Sequence, residues 1–148
     1  PGSTDAQPLP GSDAKALVAY LLALKTNEAP QPGAVAGGLT LDAPLPAGNA
    51  SNGQALFASQ GCGACHSLKP GEKIVGPSLA GGGQTSADRI KAADYFGKAT
   101  TGDLYLKESI LDPSVYVVPG FPDAMLKDFN KKLNAQQLAD IIAFLQSQ

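Results

Sequence analysis

The stretch that constrains the chain most is Cys62-Gly63-Ala64-Cys65-His66. Two thiols stand three positions apart, and an imidazole follows at once. That spacing lets both sulfurs form thioethers to the two vinyl groups of one haem and brings the imidazole beside the iron, which is the pattern for covalent haem attachment. The motif uses both cysteines and the only histidine of the sequence. Two other chemistries share part of it. Structural zinc takes four protein ligands, often as two half-sites of this kind, and there is no second Cys/His cluster. A thioredoxin-like pair opens a helix after a strand, and the flanks lack that pattern. One covalent haem c on Cys62 and Cys65, with His66 on the iron, is therefore expected.

The sixth iron position is the next question. With one histidine, bis-histidine ligation within the chain is excluded. Met125 is the only methionine. A lone Met in an apolar stretch often serves as core filler. Opposite an imidazole, however, a soft thioether stabilises ferrous iron and raises the potential. Met125 is the expected second axial ligand, and no catalytic residue is assigned. The alternative is a haem-based enzyme or gas sensor with an open or labile sixth position.

Composition agrees with a buried prosthetic group. Aromatic residues are 6% of the 148 and Trp is absent, so side chains alone make a thin core. A porphyrin would supply the missing apolar bulk, as metals and disulfides do in other small folds. Seventeen Gly and twelve Pro point to long loops between few helices. The net charge of −2 argues against nucleic acid as a partner. No stretch is long enough to cross a bilayer, and the first residues carry no leader. Because bacterial haem c is attached outside the cytoplasm, a periplasmic or other extracytoplasmic location is expected. The chain then reads as a mature or trimmed form, held at a membrane, if at all, by a missing anchor or a partner subunit.

Taken in order, the chain reads as all-α. Residues 1–48 form an extension. A helix at about 13–25, capped by Ser12, is apolar nearly all round and needs a surface to pack on. A Pro/Gly-rich linker over 26–48 either wraps the surface or is a plain spacer. The haem domain is expected over 49–148. It starts with a helix over 49–60, with Leu56 and Phe57 as its contacts and Gly53 suited to close helix crossing. Gly61 and Gly63 allow the tight turn of the motif. The loop after it holds Gly76-Pro77-Ser78-Leu79. The Pro77 carbonyl suits the second ring N–H of His66, the alternative being a simple Gly-Pro turn, and Leu79 suits the haem face.

An extra helix is expected near 86–98, with Ile90, Ala93 and Phe96 as its stripe and Ser86 as cap. Thr101 or Asp103 caps the next, which turns Leu106, Ile110 and Leu111 to the haem and ends at Asp112-Pro113. The run from Tyr116 has strand propensity, but its prolines argue for an ordered apolar loop in which Tyr116 and Phe121 wall the haem and Met125 is presented. Asn134 and Gln137 form a capping box for the last helix, whose stripe is Leu138, Ile141, Ile142 and Leu145, with Phe144 meeting Gly53 and Phe57. Arg89, Tyr95, Tyr105 and Tyr116 are four candidates for the haem carboxylates, and the sequence does not choose among them. Lys69, Lys73, Lys127, Lys131 and Lys132 either steer an acidic partner or form a solvated face.

With these elements in order, residues 49–148 resemble a class I cytochrome c, with three core helices around one haem. The segment from Tyr105 to Pro113 and then Tyr116 to Met125 is similar to cytochrome c domains of bacterial respiratory complexes, among them those fused to oxidase subunit II and the monohaem subunits of quinol-oxidising complexes. One departure is Leu126, where the family often has Pro. The resemblance implies an electron carrier between a donor and an acceptor redox protein, in itself not an enzyme. Leu17 to Leu21 also echoes Ile141 to Leu145. That marks the 13–25 helix as the closing helix of another such domain, as a helix that docks on a partner, or as a coincidence between two Ala/Leu-rich helices.

Overall fold

Asn49 ends an extended segment and caps the first helix, its side chain accepting from the Asn52 N–H at 3.1 Å. In the computed structural model, which describes residues 39–148, this helix is α1, Ala50–Ser59. A 3-10 turn follows at Cys62–Ala64, then α2 (Gly82–Arg89), α3 (Gly102–Leu111), α4 (Phe129–Lys132) and α5 (Ala135–Gln146). The described residues contain no strand, so the Tyr116 run is loop, as its prolines imply. No described helix is long and apolar enough to cross a membrane. The helix expected at 13–25, its echo of Ile141 to Leu145, and the linker up to residue 38 lie outside the described residues.

The core is the crossing of α1 and α5. Both faces of the predicted capping box at Asn134 and Gln137 are formed, and the stripe Leu138, Ile141, Ile142 and Leu145 is buried. Phe57 and Phe144 pack with ring centroids 5.5 Å apart. Gly53 makes this possible: a Cβ there would overlap the Asp140 carbonyl oxygen and stand 2.7 Å from the Phe144 Cβ. The buried Asp140 carboxylate ties the two helices again, accepting from the Asn49 N–H at 2.7 Å.

The helix expected near 86–98 lies earlier, at Gly82–Arg89. Its start is set by packing, because a Cβ on Gly82 would overlap the Leu145 carbonyl at the end of α5. Ser86 is buried inside it and donates to the Gly83 carbonyl at 2.9 Å rather than capping it. Beyond Arg89 the backbone turns by three-residue steps, with Ala92 N–H on Arg89 O at 3.0 Å and Tyr95 N–H on Ala92 O at 3.1 Å. Phe96, placed on the apolar stripe by helical spacing, is 85% exposed. The reversal carries Tyr95 back onto α3, an interaction that a continued helix forbids.

Helix α3 is capped by Thr101, not Asp103, and is buried almost all round, including two adjacent charges, Lys107 and Glu108. Lys107 is 3% exposed and its ammonium donates to two backbone carbonyls, Leu41 at 2.7 Å and Ala43. Burial pulls its pKa below the usual lysine range, and the nearby Asp42 offsets part of that. Residues 39–48, the end of the stretch read as linker, thus lie as a strap on the fold. Leu39 and Leu45 pack against the core, and Gln136 donates to the Ala47 carbonyl at 2.9 Å.

Candidate haem site

The attachment motif is shaped by its own backbone. Gly61 sits at φ 75°, a left-handed conformation that ends α1 abruptly. The Ala64 N–H then donates to Gly61 O at 3.1 Å and the His66 N–H to Cys62 O at 3.0 Å, which winds the motif into a single tight turn. Both cysteines are half-buried and form no disulfide with each other. Burial pushes the Cys62 thiol up, its backbone hydrogen bond pulls it back in part, and Cys65 adds to the rise.

The following loop folds back beneath the imidazole. The Gly76 N–H donates to Cys65 O and the Leu79 N–H to Ser67 O, both at 2.8 Å. Ser78 Oγ donates to the Lys69 carbonyl at 2.6 Å, and the Ser67 hydroxyl to the Glu72 carboxylate. This closure sets His66 Nδ1 2.8 Å from the Pro77 carbonyl. Only an N–H is favourable against a carbonyl, so Nδ1 carries the proton and Nε2 keeps its lone pair. A Cβ on Gly76 would stand 2.8 Å from that Nδ1, so only glycine lets the loop come this close.

One cavity collects most of the residues that the sequence assigns to the haem. Cys62, Cys65, His66, Gly76, Pro77 and Leu79 line it from the motif and its loop, and Ile110, Tyr116, Phe121 and Met125 from α3 and the loop after it. Phe57, Leu106, Phe129, Ile141 and Leu145 also line it. Leu111, expected to face the haem, packs against the core instead. Val75 and Pro113 are lining residues that sequence reasoning missed, since neither carries a chemical signal.

The donor set matches a haem. The wall is largely apolar and offers one imidazole nitrogen, one thioether and two thiols, which suits a flat apolar ring with an iron at its centre. A haem also carries two carboxylates. The lining contains one guanidinium, Arg89, and one carboxylate, Asp123. Asp123 is occupied by Lys127 at 2.8 Å and Ser114 at 3.0 Å. Arg89 has no carboxylate within ion-pair distance among the described residues and donates to the Tyr105 hydroxyl at 3.3 Å.

Of the four carboxylate-binding candidates, Arg89, Tyr105 and Tyr116 line the cavity and Tyr95 does not. Tyr95 stands behind the two other phenols, 5.8 Å from the Tyr105 ring and 5.5 Å from the Tyr116 ring. Its hydroxyl donates to the buried Glu108 carboxylate. Burial, followed by that hydrogen bond and the charge of Glu108, pushes its pKa up to about 12. A free tyrosine ionises near pH 10. The unfolded chain therefore loses this proton first, so the stabilisation is whole below about pH 10 and is lost between about pH 10 and 12. Tyr116, also raised, adds to this, and Lys107, shifted down, opposes it. Denaturant midpoints measured from pH 9 to 12 should fall, and fall less steeply in Tyr95→Phe.

A family model for cytochrome c matches residues 50–148, two thirds of the sequence. The chain belongs to the cytochrome c family of haem-bearing electron-transfer proteins.

Proposed function

We propose that this chain shuttles single electrons between redox proteins of an extracytoplasmic respiratory chain, with the haem iron held between His66 and Met125. The observation that carries this reading is the His66 Nδ1 bond to Pro77, which leaves a basic Nε2 at the wall of a cavity that Met125 also lines. The haem supplies the reversible ferric/ferrous couple. The protein's part is to hold one imidazole and one thioether in place in both states, so that little rearranges on transfer. Apolar burial and the thioether keep the potential positive. Arg89, Tyr105 and Tyr116 would take the haem carboxylates, supported by the Arg89 guanidinium in the lining, which has no carboxylate partner among the described residues.

Partners dock over the cavity rim. Val75 and Leu126, 44% and 54% exposed, both line the cavity, which gives a small apolar contact suited to weak, brief redox encounters. Charge steering is a smaller contribution. Lys69, Lys127 and Lys132 are each ion-paired to a local carboxylate, at 3.8, 2.8 and 3.0 Å. Lys73 lies 5.7 Å over the Phe121 ring, beside the rim.

The test is optical. The oxidised protein should show a sulfur-to-iron charge-transfer band, and the reduced protein should refuse carbon monoxide at neutral pH. Absence of the band together with ready carbon monoxide uptake would favour the sensor or enzyme reading instead.

A further inference from the structure

Glu108 is a buried carboxylate that the haem site itself does not use. It is 5% exposed and, among the described residues, has no lysine or arginine within ion-pair distance. A carboxylate in that position is expensive unless hydrogen bonds satisfy it. Here they do: the Lys98 N–H donates to Oε1 at 2.7 Å and the Tyr95 hydroxyl to Oε2. The Tyr95 oxygen in turn accepts the Ala99 N–H at 2.9 Å. Gly97 sits against the pair so closely that a Cβ there would overlap both the carboxylate and the phenol. Four residues of one irregular loop are thus fitted around a single charge on α3.

What this arrangement holds is Tyr95, and what Tyr95 touches is the cavity wall. Its ring packs on Tyr105 and Tyr116, whose own rings are 6.2 Å apart. Tyr105 accepts from Arg89 and lies beneath it, the guanidinium carbon 5.9 Å from the ring centre. Tyr116 is further held by Asp94 at 3.4 Å.

We propose that Glu108 is a positioning residue: through Tyr95 it braces Tyr105 and Tyr116, and with Tyr105 the Arg89 guanidinium, at the wall that receives the haem carboxylates. This rests on the reading of Arg89 given under Proposed function. The bland role for the same contacts is to tie residues 90–101 to α3, with no effect on the haem.

The two roles separate in the haem-loaded protein when the ferric-to-ferrous ratio at a fixed ambient potential is measured alongside thermal stability. Arg89→Gln removes a positive charge from the haem carboxylates and should raise the ratio about tenfold, the scale of one charge-assisted hydrogen bond. Tyr95→Phe and Glu108→Asp leave the net charge unchanged and withdraw the brace, so each should raise the ratio roughly threefold. In an Arg89→Gln background, Tyr95→Phe should add less than it does in the wild type, because the share of the brace that runs through Tyr105 to the guanidinium is already gone. Lower stability with an unchanged ratio in Tyr95→Phe would reduce Glu108 to a loop anchor. If Arg89→Gln leaves the ratio unmoved, the assignment of the wall is wrong, and the brace falls with it. Tyr95→Phe removes one oxygen only, so it answers the question even if Glu108→Asp does not fold.

Discussion

Met125→Leu should abolish the sulfur-to-iron band of the oxidised protein and lower the potential on the order of 0.1 V, within the roughly 0.8 V that axial ligands span. Ferrous protein should then bind carbon monoxide, which needs a vacated position. Leucine is the informative replacement because it nearly matches methionine in volume. Such swaps cost less than about 1.5 kcal/mol, so the fold should survive while the ligand is lost. Met125 is only partly buried and packs at the edge of the core cluster, so its packing contribution is small. Were it filler, Met125→Leu would leave the spectrum and the potential where they were. The flanking Leu126, at 54% exposure, adds little to the core and leaves the loop's shape to Pro119 and Pro122.

Gly53→Ala should be the most destabilising single methyl in the domain. An added Cβ would overlap the backbone oxygen of Asp140, which belongs to helix α5 and has no side-chain rotamer to move. Alanine gains about 1 kcal/mol of helix propensity. Against that, forcing α1 and α5 apart breaks the Phe57–Phe144 contact and the Asn49–Asp140 hydrogen bond together. Overpacking of this kind costs roughly 1–3 kcal/mol, and more when backbone must shift. A net loss of about 2 kcal/mol or more lowers the melting temperature of a domain this size by about 10 °C. Gly63→Ala is the control: unlike Gly61, Gly63 is not in the left-handed conformation, so the turn does not need a glycine there as the sequence suggested, and its Cβ would meet only the Phe57 ring at 3.4 Å, an ordinary contact. Equal melting temperatures for wild type and Gly53→Ala would mean that the two helices are not held at this crossing.

The difference between Gly53 and Phe96 shows what the sequence made legible. Gly53, Phe57, Phe144 and the Asn134–Gln137 box are local patterns at helical spacing, each with a direct steric or capping cause, and the chemistry-bearing residues of the cavity, Cys62, Cys65, His66 and Met125, stand out by residue type, whereas Val75, Pro113 and Phe129 in its wall do not. Ile90, Ala93 and Phe96 have the same spacing, yet the helix ends at Arg89. There the decision is tertiary: Tyr95 gains a buried carboxylate by reversing the chain, and that partner lies 13 residues away. Lys107 and Glu108 were invisible for a related reason, since lysine and glutamate are ordinarily exposed. A signal existed in the helix itself. Leu104-Tyr105-Leu106 and Ile110-Leu111 bracket the two charges and put apolar residues on most sides of α3, which favours enclosing them.

The Lys107 clamp has a consequence for reach. Ten residues from Leu39 to Gly48, stretched out, would span about 35 Å. Held against α3 and α5 by an ammonium seated on two carbonyls, they contribute almost none of that length. The ammonium seat thus turns this segment from spacer into part of the folded body: unlike a free Pro/Gly-rich spacer, it adds no reach between Leu39 and the core.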